Sequence, residues 1–109
     1  MSLDFALIKS HGHPLSMEEI DMDTSFKQNE YRGLAERLFG PITWCGMNAI
    51  AVVDEMTFEL TSNDVSLSIT ARGPGDTVAF MDKVAALAAQ QGIVTVDVQG
   101  SEIFLPLSD

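Results

Sequence analysis

The sequence predicts an α+β domain, a mainly antiparallel sheet of five or six strands with two helices packed on one face. Two observations carry this. From Thr43 onward, three β-patterned runs precede a Gly73-Pro74-Gly75 break, then come one well-bounded amphipathic helix and two more β-patterned runs. The length, 109 residues, closes one hydrophobic core and is too short for two, so residues 1–109 are expected to be a single domain.

Taken in order, Phe5 to Ile8 reads as a short edge strand that ends at the turn-prone Ser10-His11-Gly12-His13-Pro14. Ser16-Met17-Glu18-Glu19 matches a capping box and predicts a short helical turn. Ser25 with Gln28 predicts the cap of a longer helix, in which Tyr31, Leu34, Ala35, Leu38 and Phe39 recur at helical spacing. Gly40-Pro41 ends it.

The run from Thr43 to Val53 is nearly all apolar, which predicts a strand covered on both faces, with a bulge at Gly46. Thr57 to Thr61 and Val65 to Ala71 alternate apolar and polar residues around Ser62-Asn63-Asp64, the pattern of a hairpin with one wet face. Asp76 is placed to cap the next helix, whose expected buried stripe is Phe80, Val84, Leu87 and Ala88, and Gly92 closes it. Because a helix separates the Val65 to Ala71 strand from the next, a crossover to a parallel neighbour is also allowed. Val94, Val96 and Val98 then alternate with Thr95, Asp97 and Gln99, and Gly100-Ser101 reads as a two-residue turn into a strand from Ile103 to Leu105. Pro106 marks an edge or an end.

Sixteen acidic against six basic side chains give a formal charge of −10. That field repels phosphate backbones and anionic headgroups, so nucleic acid and membrane are excluded as partners, while a basic protein surface is attracted. No basic leader precedes the first apolar stretch, and no apolar run approaches the roughly 20 residues a bilayer needs, which predicts a cytoplasmic protein. The single cysteine, Cys45, forbids an internal disulfide and is expected to be a buried, inert thiol beside Trp44. Trp44, Phe39 and Tyr31 are expected to cluster where the first helix meets the sheet, with Met47 and Met56 flanking the apolar strand.

The chemical inventory is thin. His11 and His13 stand two apart and form half a metal site, which a carboxylate among Glu18, Glu19, Asp21 and Asp23 could complete, but a polar loop explains them as well. Asp21 to Ser25 imitates the start of a calcium loop, then fails, with Phe26 where glycine is required and Arg32 where the bidentate glutamate belongs. These acids are instead expected in the first turns of helices. The strongest small-ligand candidate is the strand-to-helix loop with Arg72, Gly73, Gly75 and Thr77, whose glycines can expose backbone amides to an anion beside the Arg72 charge. It carries neither a G-x-G-x-x-G pattern nor a phosphate-loop lysine.

The functional expectation is a non-catalytic acidic module that self-associates or binds a basic protein through a sheet face its helices leave uncovered. The alternative is a small-ligand-binding or enzymatic domain using the Arg72–Thr77 loop or a His11/His13 metal site. No cofactor is called for by any motif, and the chain matches no family pattern.

Overall fold

The computed structural model describes residues 3–12, 14–73 and 76–104. In chain order they form β1 (Leu3–His11), a 3-10 turn (Met17–Glu19), β2 (Asp21–Met22), α1 (Gln28–Phe39), β3 (Trp44–Cys45), β4 (Asn48–Val53), β5 (Met56–Ser62), β6 (Leu67–Arg72), α2 (Thr77–Ala89), β7 (Ile93–Asp97) and β8 (Glu102–Ile103). The sheet order is β3-β4-β5-β6-β1-β7-β8, every pairing is antiparallel, and β2 pairs with the end of β1. The class is α+β, as the sequence predicts. The eight strands exceed the expected five or six because β2 is an additional pairing and the run from Thr43 divides into β3 and β4; β2 and β3 are two residues each, too short to carry a pattern of their own.

Both helices lie on one face of the sheet. Tyr31, Leu34 and Ala35 of α1 and Met81, Val84 and Ala88 of α2 share one core with Phe5, Leu7, Phe58, Leu60, Leu67 and Ile69 of the strands. Phe58 of β5 ties the layers together, its ring 5.2 Å from Phe39 of α1 and 4.9 Å from Phe80 of α2. Each large apolar side chain buried in this way contributes about 1.5–3 kcal/mol. Tyr31 adds a polar anchor, because its hydroxyl accepts from the Lys9 amide at 2.9 Å and donates to the Val65 carbonyl at 3.1 Å.

The first strand is central, not at an edge: β1 pairs with β6 on one side and β7 on the other. Those partners lie some 60 and 90 residues further along, beyond the reach of any local pattern. Because β1 is antiparallel to both, β6 and β7 run in the same direction. The crossover through α2 therefore joins strands of the same direction, but they are not neighbours: β1 lies between them, and no parallel pairing forms among the described residues.

The apolar run after Thr43 is a hairpin, not one strand. Gly46 adopts φ +65 and supplies the turn between β3 and β4, and β4 alternates, with Ala49 and Ala51 buried and Ile50 and Val52 exposed. The β5–β6 hairpin stands, but Ser62 opposes Leu67, so Val65 belongs to the connecting loop. The last turn is wider than expected: Asp97 opposes Glu102, leaving residues 98–101 as the loop, organised by the Asp97 carboxylate, which accepts from the Gln99 amide at 3.1 Å. Leu105 and Pro106 lie outside the described residues.

The helix ends show which polar groups compete. Ser25 does not cap α1 because its hydroxyl and amide are both turned to the Asp23 carboxylate, at 2.5 and 3.0 Å. The helix begins at Gln28, and Glu30 reaches back to the Lys27 amide at 3.2 Å. Asp76 caps α2 as predicted, accepting from the Ala79 amide at 3.0 Å. The buried stripe of α2 is rotated from the expected one. Met81 and Ala85 join Val84 and Ala88 inside, Phe80 is half-buried and Leu87 faces solvent.

Candidate functional site

The registers divide the sheet into a helix-covered face and an open one. On the open face stand Ile50 and Val52 of β4, then a polar middle of Thr57, Glu59, Ser68 and Thr70, with Ala6 and Ile8 of β1 beyond. Glu59 and Arg72 form an ion pair across β5 and β6 at 3.0 Å, with both side chains substantially exposed. Such a pair adds less than about 1 kcal/mol, and its two charges cancel, while the Asp4 carboxylate stands beside it on the same face, accepting from the Thr70 hydroxyl at 2.7 Å.

The β4 side of this face ends in an unfinished edge. Strand β3 pairs only with Asn48 and Ala49, and among the described residues nothing pairs with the outer edge of β4 from Ile50 to Val53. Turns of two residues close β4 at both ends, at Cys45↔Asn48 and Val53↔Met56. In such turns the closing residues exchange both hydrogen bonds, so Val53, Ala51 and Ala49 direct their peptide groups to β5. Alternation then turns the N–H and C=O of Ile50 and Val52 outward. Their side chains are 63% and 68% exposed. A hollow of about 400 Å³ opens beside Ile50, lined by Thr43, Cys45, Asn48, Glu59 and Thr61.

No protein-family model, curated protein or solved structure matches the chain.

The residues singled out in the sequence are scattered over this frame. Arg72 ends β6, with its charge paired to Glu59. Gly73 is required by its position, with φ +116 and space for a side chain blocked by the Glu55 carbonyl oxygen, which would lie 2.9 Å from a Cβ. Gly75 lies outside the described residues, and Thr77 is the first residue of α2. The Asp76 carboxylate occupies the helix start where an anion would bind. His11 is exposed at the end of β1 opposite Asp21, and His13 lies outside the described residues. Among the described residues no three His, Cys, Asp or Glu side chains are grouped to hold a metal. Likewise, no helix there is long and apolar enough to cross a membrane.

The acids before α1 are not helix-start residues as expected, apart from Glu18 and Glu19 in the 3-10 turn. Asp21 belongs to β2, and Asp23 holds a loop, where the Ser25 hydroxyl and amide keep its carboxyl below the ordinary range. Cys45 is exposed, which overturns the expectation of a buried thiol. An edge strand of two residues cannot cover its outward side chain. The expected aromatic cluster is three separate contacts: Phe39 joins Phe58 and Phe80, Tyr31 meets Phe26 at 4.6 Å, and Trp44 stacks under Arg32 at 5.2 Å. Met56 is buried, whereas Met47 is exposed in the β3–β4 turn.

One feature had no signal in the sequence. A cavity of about 170 Å³ lies between α2, β7, β8 and the turn after β1, walled by Leu15, Ala85, Ala89, Ile93, Thr95 and Phe104 among others. The alternation in β7 places Thr95 on the face opposite Val94 and Val96 without saying which face is covered. In the fold Thr95 opposes Leu7, faces the helices and is only 3% exposed. Its hydroxyl is the one buried side-chain polar atom among the described residues without a hydrogen-bond partner. An unmet hydroxyl of this kind costs about 1–3 kcal/mol.

Proposed function

We propose that the protein is a non-catalytic interaction module that receives a protein partner on the β4 edge and the adjoining open sheet face. The observation that carries this reading is the coincidence, at Ile50 and Val52, of outward peptide groups and exposed branched aliphatic side chains. An added strand would satisfy the first and cover the second. Sheet edges are ordinarily protected by lysine, proline or a bulge, and the Ile50-Ala51-Val52-Val53 segment carries none of the first two. The formal charge of −10 favours a basic partner by steering its approach. Self-association is the second reading, favoured by the same unprotected edge, and it must overcome the repulsion between two acidic copies.

The test pairs light scattering after size exclusion with salt-dependent capture of candidate basic proteins, using wild type and the Ile50→Lys/Val52→Lys double variant. The expected result is a defined complex or dimer that the double variant loses while its circular dichroism is unchanged. A monomeric wild type without a partner, or a complex indifferent to both substitutions, would overturn the reading.

A further inference from the structure

We infer that the cavity between α2 and β7 is a binding site for a small neutral molecule with an apolar body and one hydrogen-bonding group, in the manner of an aryl alcohol. This is separate from the proposed partner surface, because the cavity lies on the helix side of the sheet and contains no residue of β4 or β5.

Size sets the first limit. The volume is about 170 Å³, and a cavity of about 150 Å³ accepts benzene. The walls set the second. Leu15, Ile93 and Phe104 present carbon, and Ala85 and Ala89, one helical turn apart on α2, leave room that any larger side chain there would fill. Among the described residues none in the wall is charged. Two ionic groups stand beside wall residues: the Lys9 ammonium lies against Gly92 and donates to the Gln91 carbonyl at 2.6 Å, and the Glu19 carboxylate accepts from the Leu15 amide at 3.2 Å.

Thr95 supplies the polar requirement. Among the described residues it is the sole wall residue with a hydrogen-bonding side chain, and its backbone carbonyl is already taken by the Phe104 amide at 2.8 Å. The hydroxyl is left without a partner in the protein. The hydroxyl oxygen is shielded as it stands, and one rotamer step about χ1 carries it to the place the methyl holds while the methyl moves to the third position on Cβ, so that step can turn the hydroxyl toward a ligand. A ligand hydroxyl placed beside it completes a hydrogen bond that the fold leaves unmade.

Benzyl alcohol, ethylbenzene and benzylammonium are the probes, titrated by ligand-observed NMR with thermal melts in parallel. Benzyl alcohol is expected to bind saturably and raise the melting temperature. Ethylbenzene, nearly the same in shape, should bind about three- to tenfold more weakly for want of one hydrogen bond. Benzylammonium should not bind. Thr95→Val should abolish the preference for the alcohol while melting at or above the wild-type temperature. Ala89→Leu, at an exposed helix position, should fill the space and remove binding of both neutral probes. The inference fails if neither neutral probe saturates, if the two bind alike to wild type, or if Ala89→Leu binds as wild type does. Binding that persists in the Ile50→Lys/Val52→Lys variant keeps this result independent of the partner surface.

Discussion

Cys45 and Tyr31 show how far one residue's environment departs from its type. A cysteine beside a tryptophan in an apolar run suggests burial, yet Cys45 sits on a two-residue edge strand and is open to solvent. A thiol reagent should therefore modify one site per chain in the native protein, without denaturant. Protection that only unfolding lifts would contradict the placement. Tyr31 is the opposite case, fully buried, with burial raising its phenol above the ordinary range. Because the folded value exceeds the unfolded one, the stability it contributes is intact below about pH 10 and is lost as pH rises further. Tyr31→Phe should cost about 1–3 kcal/mol in urea melts by leaving the Val65 carbonyl unmet, and should remove this part of the alkaline loss.

At the scale of elements, the tightest constraint is where two turns meet. Asp54 and Glu55 both adopt positive φ, 47 and 71, in the β4–β5 turn, a conformation whose twist suits a hairpin but disfavours side chains. Against this turn lies Gly73, whose own φ and whose approach to the Glu55 carbonyl leave no place for a methyl group. Gly73→Ala should destabilise the protein by about 2 kcal/mol or more, because the obstructing atoms are backbone and cannot swing aside. A melting temperature equal to wild type would show that the β6–α2 loop can move away from the turn. Helix α2 was readable at its ends, where Asp76 caps and Gly92 takes φ +75. Its buried stripe, Met81, Val84, Ala85 and Ala88, does not stand out in the same way. Its alanine-rich sequence is apolar on nearly every side, so periodicity alone could not choose between Leu87 and Met81.

Over the whole molecule, acidity would oppose the pairing of two copies across the unfinished sheet edge and would favour a basic partner there. The charge of −10 slows the meeting of two copies and hastens that with a basic surface, each less so in salt. Raising ionic strength should thus weaken a complex with a basic partner but strengthen a dimer across β4, and light scattering over a salt series separates them. The same complex should be lost in the Ile50→Lys/Val52→Lys variant whichever partner it contains.

The sequence by itself determined the class, both helices, the β5–β6 hairpin and the Asp76 cap, because each rests on neighbours within a few residues. Short-range spacing and turn chemistry suffice for those. Only the tertiary structure decided that β1 lies at the centre, that Ile50, Val52 and Cys45 face outward, and that Thr95 turns inward beside a cavity. These depend on pairings between strands far apart in the chain, and an apolar run such as Trp44 to Val53 reads the same whether its second face is covered or bare.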